Sequence, residues 1–256
     1  MKLNYKVLGD GEPIIILHGL FGMLDNWITV ARRLSKDNMV VLLDLPNHGR
    51  SPRLDPHTYP LLAEVIRNFM VDHMLYNTHL IGHSMGGKIA MQMALDYPEL
   101  VNKLIVVDIA PRAYSGLHNH VIRSMFEMNV QSLGSRKEAS DILHKKLDND
   151  SVVQFLLKNL KHQKGGGYKW KFNLEILNRD YHHIIEAVGS EVPFEKDVLF
   201  LRGSESNYIH PTEDIPLIKE LFPYSQIKTV DDAGHWLHAD QPLELIEILH
   251  DFFEQI

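Results

Sequence analysis

Two continuous apolar runs lie near the start of the chain: PIIIL (Pro13 to Leu17) and MVVLLD (Met39 to Asp44), the latter apolar up to its closing carboxylate. Continuous runs of this length suit strands of a parallel sheet, covered by helices on both faces. Between them, Leu24 to Leu34 fits a short helix. Ahead of them, LNYKVLG alternates weakly, as an edge strand does, and DGEP follows as a turn. Further on, Leu62, Val65, Ile66, Phe69 and Met70 recur at helical spacing. THLIG then predicts a strand, Met85 to Tyr97 a helix stopped before Pro98, and KLIVVD (Lys103 to Asp108) another strand. Strand and helix alternating through short joints predict an α/β fold: a mostly parallel central sheet flanked by helices.

That alternation breaks from about Ala113 to Val192. Helix-like stretches (DILHKKL, VVQFLLKNL) lead into a glycine-rich KGGGYKWKFN and a further helical piece, LEILNRDYHHIIEAV. This segment is expected to be an all-helical cap over one end of the sheet. The core resumes with the strand DVLFLRG, a helix near Thr212 to Leu221, the strand SQIKTV and a closing helix from Leu243 to Phe253. The division is therefore a core of residues 1–112 and 193–256, with a cap or lid of residues 113–192 inserted.

Composition removes several classes of function. With 256 residues the chain is long enough for one large domain with an insertion. A formal net charge of -7 offers no general basic surface for a phosphate backbone, so nucleic acid is not an expected partner. There is no cysteine, which excludes disulfides, thiolate catalysis and zinc–thiolate sites. The opening MKLNYKVLGDGEP lacks the apolar core of a signal peptide, and no apolar stretch is long enough for a transmembrane span, so a cytoplasmic location is expected. HNH (His118 to His120) and YHHI (Tyr181 to Ile184) do not pair with carboxylates at a metal-binding spacing, and are expected as surface histidines. The glycines at 165 to 167 lack the context of a phosphate loop and suggest a hinge or hairpin-like turn. No metal and no organic cofactor is implied.

Chemistry concentrates in GHSMG, residues 82 to 86, between a predicted strand and a predicted helix. Gly-x-Ser-x-Gly in that setting is a nucleophile elbow: the serine sits in a strained turn, and small neighbours let strand and helix approach closely. Ser84 would then stand at a helix N-terminus, where free N–H groups favour a developing anion. A serine hydroxyl needs a base. The chain holds 16 histidines, so placement decides, and His235 is chosen because AGHW follows the last predicted strand on the elbow's side of the sheet. Trp236 and His238 beside it are candidates to line or support the pocket. For an oxyanion, one donor would be the N–H of Met85. The other would come from HGLFG after the PIIIL strand, with Leu20 the better candidate and Phe21 the fallback. His18 is expected to brace that turn, His83 to be structural, and Met85, Met91 and Met93 to fill core or pocket.

Taken together, HGLFG, DLPNHGRS, GHSMGG, VVDIAP and AGHW resemble the alpha/beta-hydrolase superfamily across essentially the whole chain. LDNW, NHGRSP and YKWKFNLEIL narrow the likeness to small bacterial esterases of the YbfF type and their ABHD11-like mitochondrial relatives. The resemblance implies an alpha/beta-hydrolase fold with a helical cap, and a triad acid usually placed after the strand DVLFLRG. Here that position is Ser206, which cannot balance an imidazolium charge. Glu205, Asp231 or Asp232, and Asp108 are the alternatives. Asp108 is favoured: it ends KLIVVD at the catalytic edge, apolar residues follow it, and the resemblance includes members with their acid there. Ser206 would then contact the histidine or its loop.

The expected activity is a serine carboxylesterase acting through an acyl-enzyme on short to medium acyl esters, with acyl-CoA thioesters also accessible. The partner would be a small-molecule ester or thioester; oligomeric state is left open. Two alternatives stand beside it: a carbon–carbon bond hydrolase or lyase on the same scaffold, and a non-catalytic ligand-binding protein with a hydrolase fold.

Overall fold

A computed structural model describes residues 1–116 and 118–254. In chain order it contains β1 (Tyr5–Leu8), β2 (Glu12–Leu17), a 3-10 turn at Leu24–Trp27, α1 (Ile28–Leu34), β3 (Asn38–Leu43), α2 (Tyr59–Asp72), β4 (Thr78–His83), α3 (Met85–Asp96) and β5 (Val101–Val107). After the insertion come β8 (Val198–Gly203), α9 (Asp214–Leu221), β9 (Ser225–Val230), α10 (Leu237–Asp240) and α11 (Pro242–Glu254). Seven strands form one sheet in the order β1-β3-β2-β4-β5-β8-β9, with only β1 antiparallel to its neighbour.

The apolar runs end up as the sequence predicts, in central strands with buried residues on both faces. Ile14 and Ile16 face a layer containing α1 and α11, while Ile15 and Leu17 face α2, α3 and the insertion. Helix α3 is buried along nearly its whole length, because sheet, α2 and insertion enclose it; even Lys88 and Gln92 are buried. At about 1.5–3 kcal/mol for each large apolar side chain removed from water, this sandwich makes a rigid base for the loops above it.

Register determines what those loops share. Leu17 of β2 pairs with Gly82 of β4, His83 with Val107 of β5, Val107 with Leu201 of β8, and Gly203 with Val230 of β9. The segments leaving β2, β4, β5, β8 and β9 therefore emerge side by side at one edge. The chain turns from β2 to β3 on one side and reaches β4 on the other, a crossover where α/β sheets open a crevice.

Between β5 and β8 lie α4 (Asn119–Glu127), α5 (Arg136–His144), α6 (Asp150–Lys158), β6 (Leu160–His162), β7 (Tyr168–Trp170), α7 (Leu174–Arg179) and α8 (Tyr181–Ile184). This corrects the expectation of helices alone, since β6 and β7 form an antiparallel hairpin. Its turn is the Gly165–Gly167 stretch, with Gly166 and Gly167 at positive φ and Gln163 N–H bonded to the Gly167 carbonyl. Side chains of Ser135, Asn149 and Asn173 cap α5, α6 and α7.

Candidate active site

Ser84 joins β4 to α3 with φ 53° and ψ −120°, a backbone conformation a residue with a Cβ rarely adopts. Such strain costs about 1–3 kcal/mol and persists only where its surroundings enforce it. Here they do. The Ser84 N–H bonds the Val107 carbonyl at 3.0 Å, and its carbonyl accepts from Lys88 N–H at 3.1 Å. A side chain at Gly86 would put its Cβ 2.4 Å from the Leu17 carbonyl oxygen, so only glycine lets helix and strand close. Met85, the first residue of α3, has no intrahelical acceptor for its N–H.

The loop after β2 lies against the serine: a Cβ on Gly19 would stand 3.2 Å from that of Ser84. Two buried histidines hold this loop. His18 Nδ1 donates to the Gly19 carbonyl at 2.8 Å, and its Nε2 accepts from Leu45 N–H at 3.0 Å. His48 Nδ1 donates to the Pro46 carbonyl at 2.9 Å, and its Nε2 accepts from Phe21 N–H at 3.1 Å. Burial pushes His18 down to about 4 and His48 down to about 3, so both rings are neutral and these bonds set their tautomers. The Phe21 amide, the fallback donor of the sequence reading, is thus committed to His48. The Leu20 amide has no partner among the described residues. The motif NHGRS marks the turn that carries His48, but nothing in it reveals where the ring points.

Asp108 directly follows β5, also at positive φ, and is fully buried. Its Oδ2 accepts from His235 Nδ1 at 2.8 Å and from the Ser206 hydroxyl; its Oδ1 accepts from Gly203 N–H at 3.1 Å. Ser206 therefore serves the carboxylate and not the histidine. Glu205, Asp231 and Asp232 are exposed. His235 is further fixed by two contacts that sequence reasoning missed. The Tyr208 ring stacks on it with centroids 3.8 Å apart and 16° between planes, and His83 Nε2 donates to its carbonyl at 2.8 Å. The Tyr208 hydroxyl lies 3.2 Å from His118 Nε2, and His118 Nδ1 lies 3.0 Å from the Tyr181 hydroxyl. His118 is thus no scattered surface histidine: it lines the cavity, and burial pushes it down to about 4.

Ser84 and His235 share an open cavity of about 770 Å³, also lined by Leu20, Trp236, His238 and, from the insertion, Phe155. Trp236 packs at a tilt on Phe155, and His238 stacks on Trp27. A smaller hollow of about 30 Å³ is bounded by Ser84, Leu20, Met85, Lys88 and Tyr114 among others. Met91 and Met93 belong to the core and do not line either space.

A sheet of this topology, with a serine on a strained strand-to-helix turn and a carboxylate–histidine pair at the same edge, defines the class. The chain matches the alpha/beta hydrolase fold family over residues 12–242 and belongs to it. It is 38% identical to the sn-1-specific diacylglycerol lipase ABHD11 of Danio rerio, over 99% of this chain and 83% of that one. It is 31% identical to Esterase YbfF of Escherichia coli, over 94% and 95% of the two chains. Among solved structures, a marine microorganism esterase is 40% identical with a TM-score of 0.95, covering 98% of this chain and 99% of its own. No helix of the described residues is long and apolar enough to cross a membrane.

Proposed function

We propose that this protein is a serine-dependent carboxylic ester hydrolase acting through an acyl-enzyme. The observation that carries the reading is the buried Asp108–His235 pair opening on the same cavity as Ser84. Because His235 Nδ1 is engaged with Asp108, the free lone pair falls on Nε2, the nitrogen a serine base needs. Nε2 takes the Ser84 proton as Oγ attacks the ester carbonyl. The oxyanion is held by the N–H groups of Leu20 and Met85, both without an acceptor among the described residues and one at a helix N-terminus. The Asp108 carboxylate orients and stabilises the imidazolium, which then protonates the departing alcohol. Water repeats the cycle on the acyl-enzyme. The names of the relatives, an esterase and a lipase, support the same reaction class.

The hollow beside Ser84 has room for about two waters. It supports a preference for short acyl groups, with the larger cavity receiving the leaving group. Thioesters are open to the same machinery. A fluorophosphonate probe tests the proposal: the folded wild type is expected to be labelled at Ser84, and Ser84→Ala not at all. An unlabelled wild type would leave the non-catalytic reading standing. A p-nitrophenyl ester series compared with acyl-CoA thioesters by kcat/KM then measures acyl-length and leaving-group preference.

A further inference from the structure

Apart from the catalytic cavity, a groove of about 720 Å³ runs between the edge strand β1, the loop after β3 and the β6–β7 hairpin of the insertion. Its lining includes Lys6, Arg50, Arg53, Lys161, Lys169 and Lys171. In a chain with a net charge of -7, six cations gathered on one concavity are a pronounced local reversal. Among the described residues, none of the six stands within ion-pair distance of a carboxylate. Two acidic residues share the lining, Asp25 and Asp44. Asp44 is buried and already occupied: it accepts from Leu24 N–H at 2.8 Å, Arg50 N–H at 2.8 Å and Asn4 Nδ2 at 2.7 Å. Desolvation, and after it the neighbouring Arg136, holds Lys171 below the usual lysine range. An anion entering here gains from every one of these charges.

The groove also has an aromatic wall. Trp170 is half-buried and stacked on Phe172, with centroids 5.2 Å apart and 14° between planes, and Phe172 packs on Phe21. That stack makes the indole a rigid platform of the kind that base rings stack on.

We propose that this groove binds a soluble nucleotide-type polyanion: a phosphate-bearing small molecule whose charge meets Arg50, Arg53, Lys161 and Lys169 and whose ring meets Trp170. A concave site with cations from three separate chain segments fits a compact polyanion, whereas a membrane surface calls for a convex face. Exposed lysines of the hairpin and exposed arginines of the core line it together, so phosphate oxygens can be met by forked guanidinium and point-charge ammonium groups.

The test is calorimetric titration of ADP into wild type, the exposed double variant Lys161→Glu/Lys169→Glu, and Ser84→Ala. The wild type and Ser84→Ala are expected to bind ADP equally, which separates this site from the catalytic reading. The double variant is expected to lose at least tenfold in affinity while turning over p-nitrophenyl acetate at the wild-type rate, and added salt is expected to weaken wild-type binding. A parallel arm uses sedimentation with phosphatidylglycerol vesicles. No ADP binding, ADP binding indifferent to the charge reversal, or capture by vesicles without ADP binding would each overturn the proposal.

Discussion

Replacing Asp108 by asparagine changes one atom, and the surroundings leave the amide no good orientation. Oδ2 accepts from His235 Nδ1 and Ser206, and Oδ1 accepts from Gly203 N–H. If the asparagine keeps its oxygen toward Gly203, its NH2 points at His235 Nδ1. The ring must then accept there and carry its proton on Nε2, the tautomer that cannot take a proton from Ser84. If the amide flips, the oxygen meets His235 but the NH2 faces the Gly203 N–H. Donor then opposes donor in a site with no exposure, at about 1–3 kcal/mol for the buried group left unsatisfied. Both orientations also lose the negative charge that balances the imidazolium in the transition state. The expected loss in kcat is about 10³- to 10⁴-fold, or about 4 to 5 kcal/mol of barrier. The assay is p-nitrophenyl butyrate hydrolysis across pH, with near-UV circular dichroism to verify that Asp108→Asn retains its fold. A folded variant within about tenfold of wild type would refute the reasoning and return Glu205, Asp231 and Asp232 to consideration.

Ser206→Ala removes one donor to Asp108 but leaves the His235 and Gly203 contacts, so kcat is expected to fall by about tenfold or less; a loss matching that of Asp108→Asn would assign the serine a larger part. His18 and His48 are held neutral by burial, at about 4 and about 3 against 6.5. In the window between, the unfolded chain binds more protons than the folded one, so this stability is present above pH 6.5 and is lost as pH falls towards 4, by a few kcal/mol. Urea midpoints should fall accordingly on acidification, and less so for His48→Gln; a flat profile would contradict the assignment. Lys88 is buried and pushed down to about 7, by desolvation first and Arg112 second, while its ammonium donates to the carbonyls of Arg112, just ahead of the insertion, and Glu186, within it. Because the unfolded lysine stays protonated to about pH 10, wild type should gain stability relative to Lys88→Met as pH rises from 7 to about 10. Parallel denaturation curves for the two proteins would exclude that coupling.

Much of this was legible because it is local. Parallel strands covered on both faces must be apolar throughout, and Ile14 to Leu17 meets that condition. The strained turn at Ser84 needs small neighbours, and Gly82 and Gly86 announce it. What stayed hidden depends on register between distant strands or on where a ring turns. Strands β6 and β7 have three residues each, too few to show alternation, and only their glycine turn was visible. His48, His118 and Tyr208 sit in loops or at the edge of a helix, three among many polar residues, and become informative only when β3, β8 and the insertion meet. Strand register also explains the displaced acid. His83 pairs with Val107, and Val107 with Leu201, so the ends of β4, β5 and β8 are neighbours, and a carboxylate leaving β5 reaches the same point as one leaving β8. With Asp108 there, a second carboxylate at 206 would place two negative charges around one imidazole and drive one of them to protonate. Serine avoids that conflict and offers a hydroxyl donor to Oδ2, while β8 still contributes the Gly203 amide to Oδ1. The serine at the usual acid position and the aspartate one strand away are therefore two halves of a single arrangement, in which β5 provides the charge and β8 the hydrogen bonds that hold it.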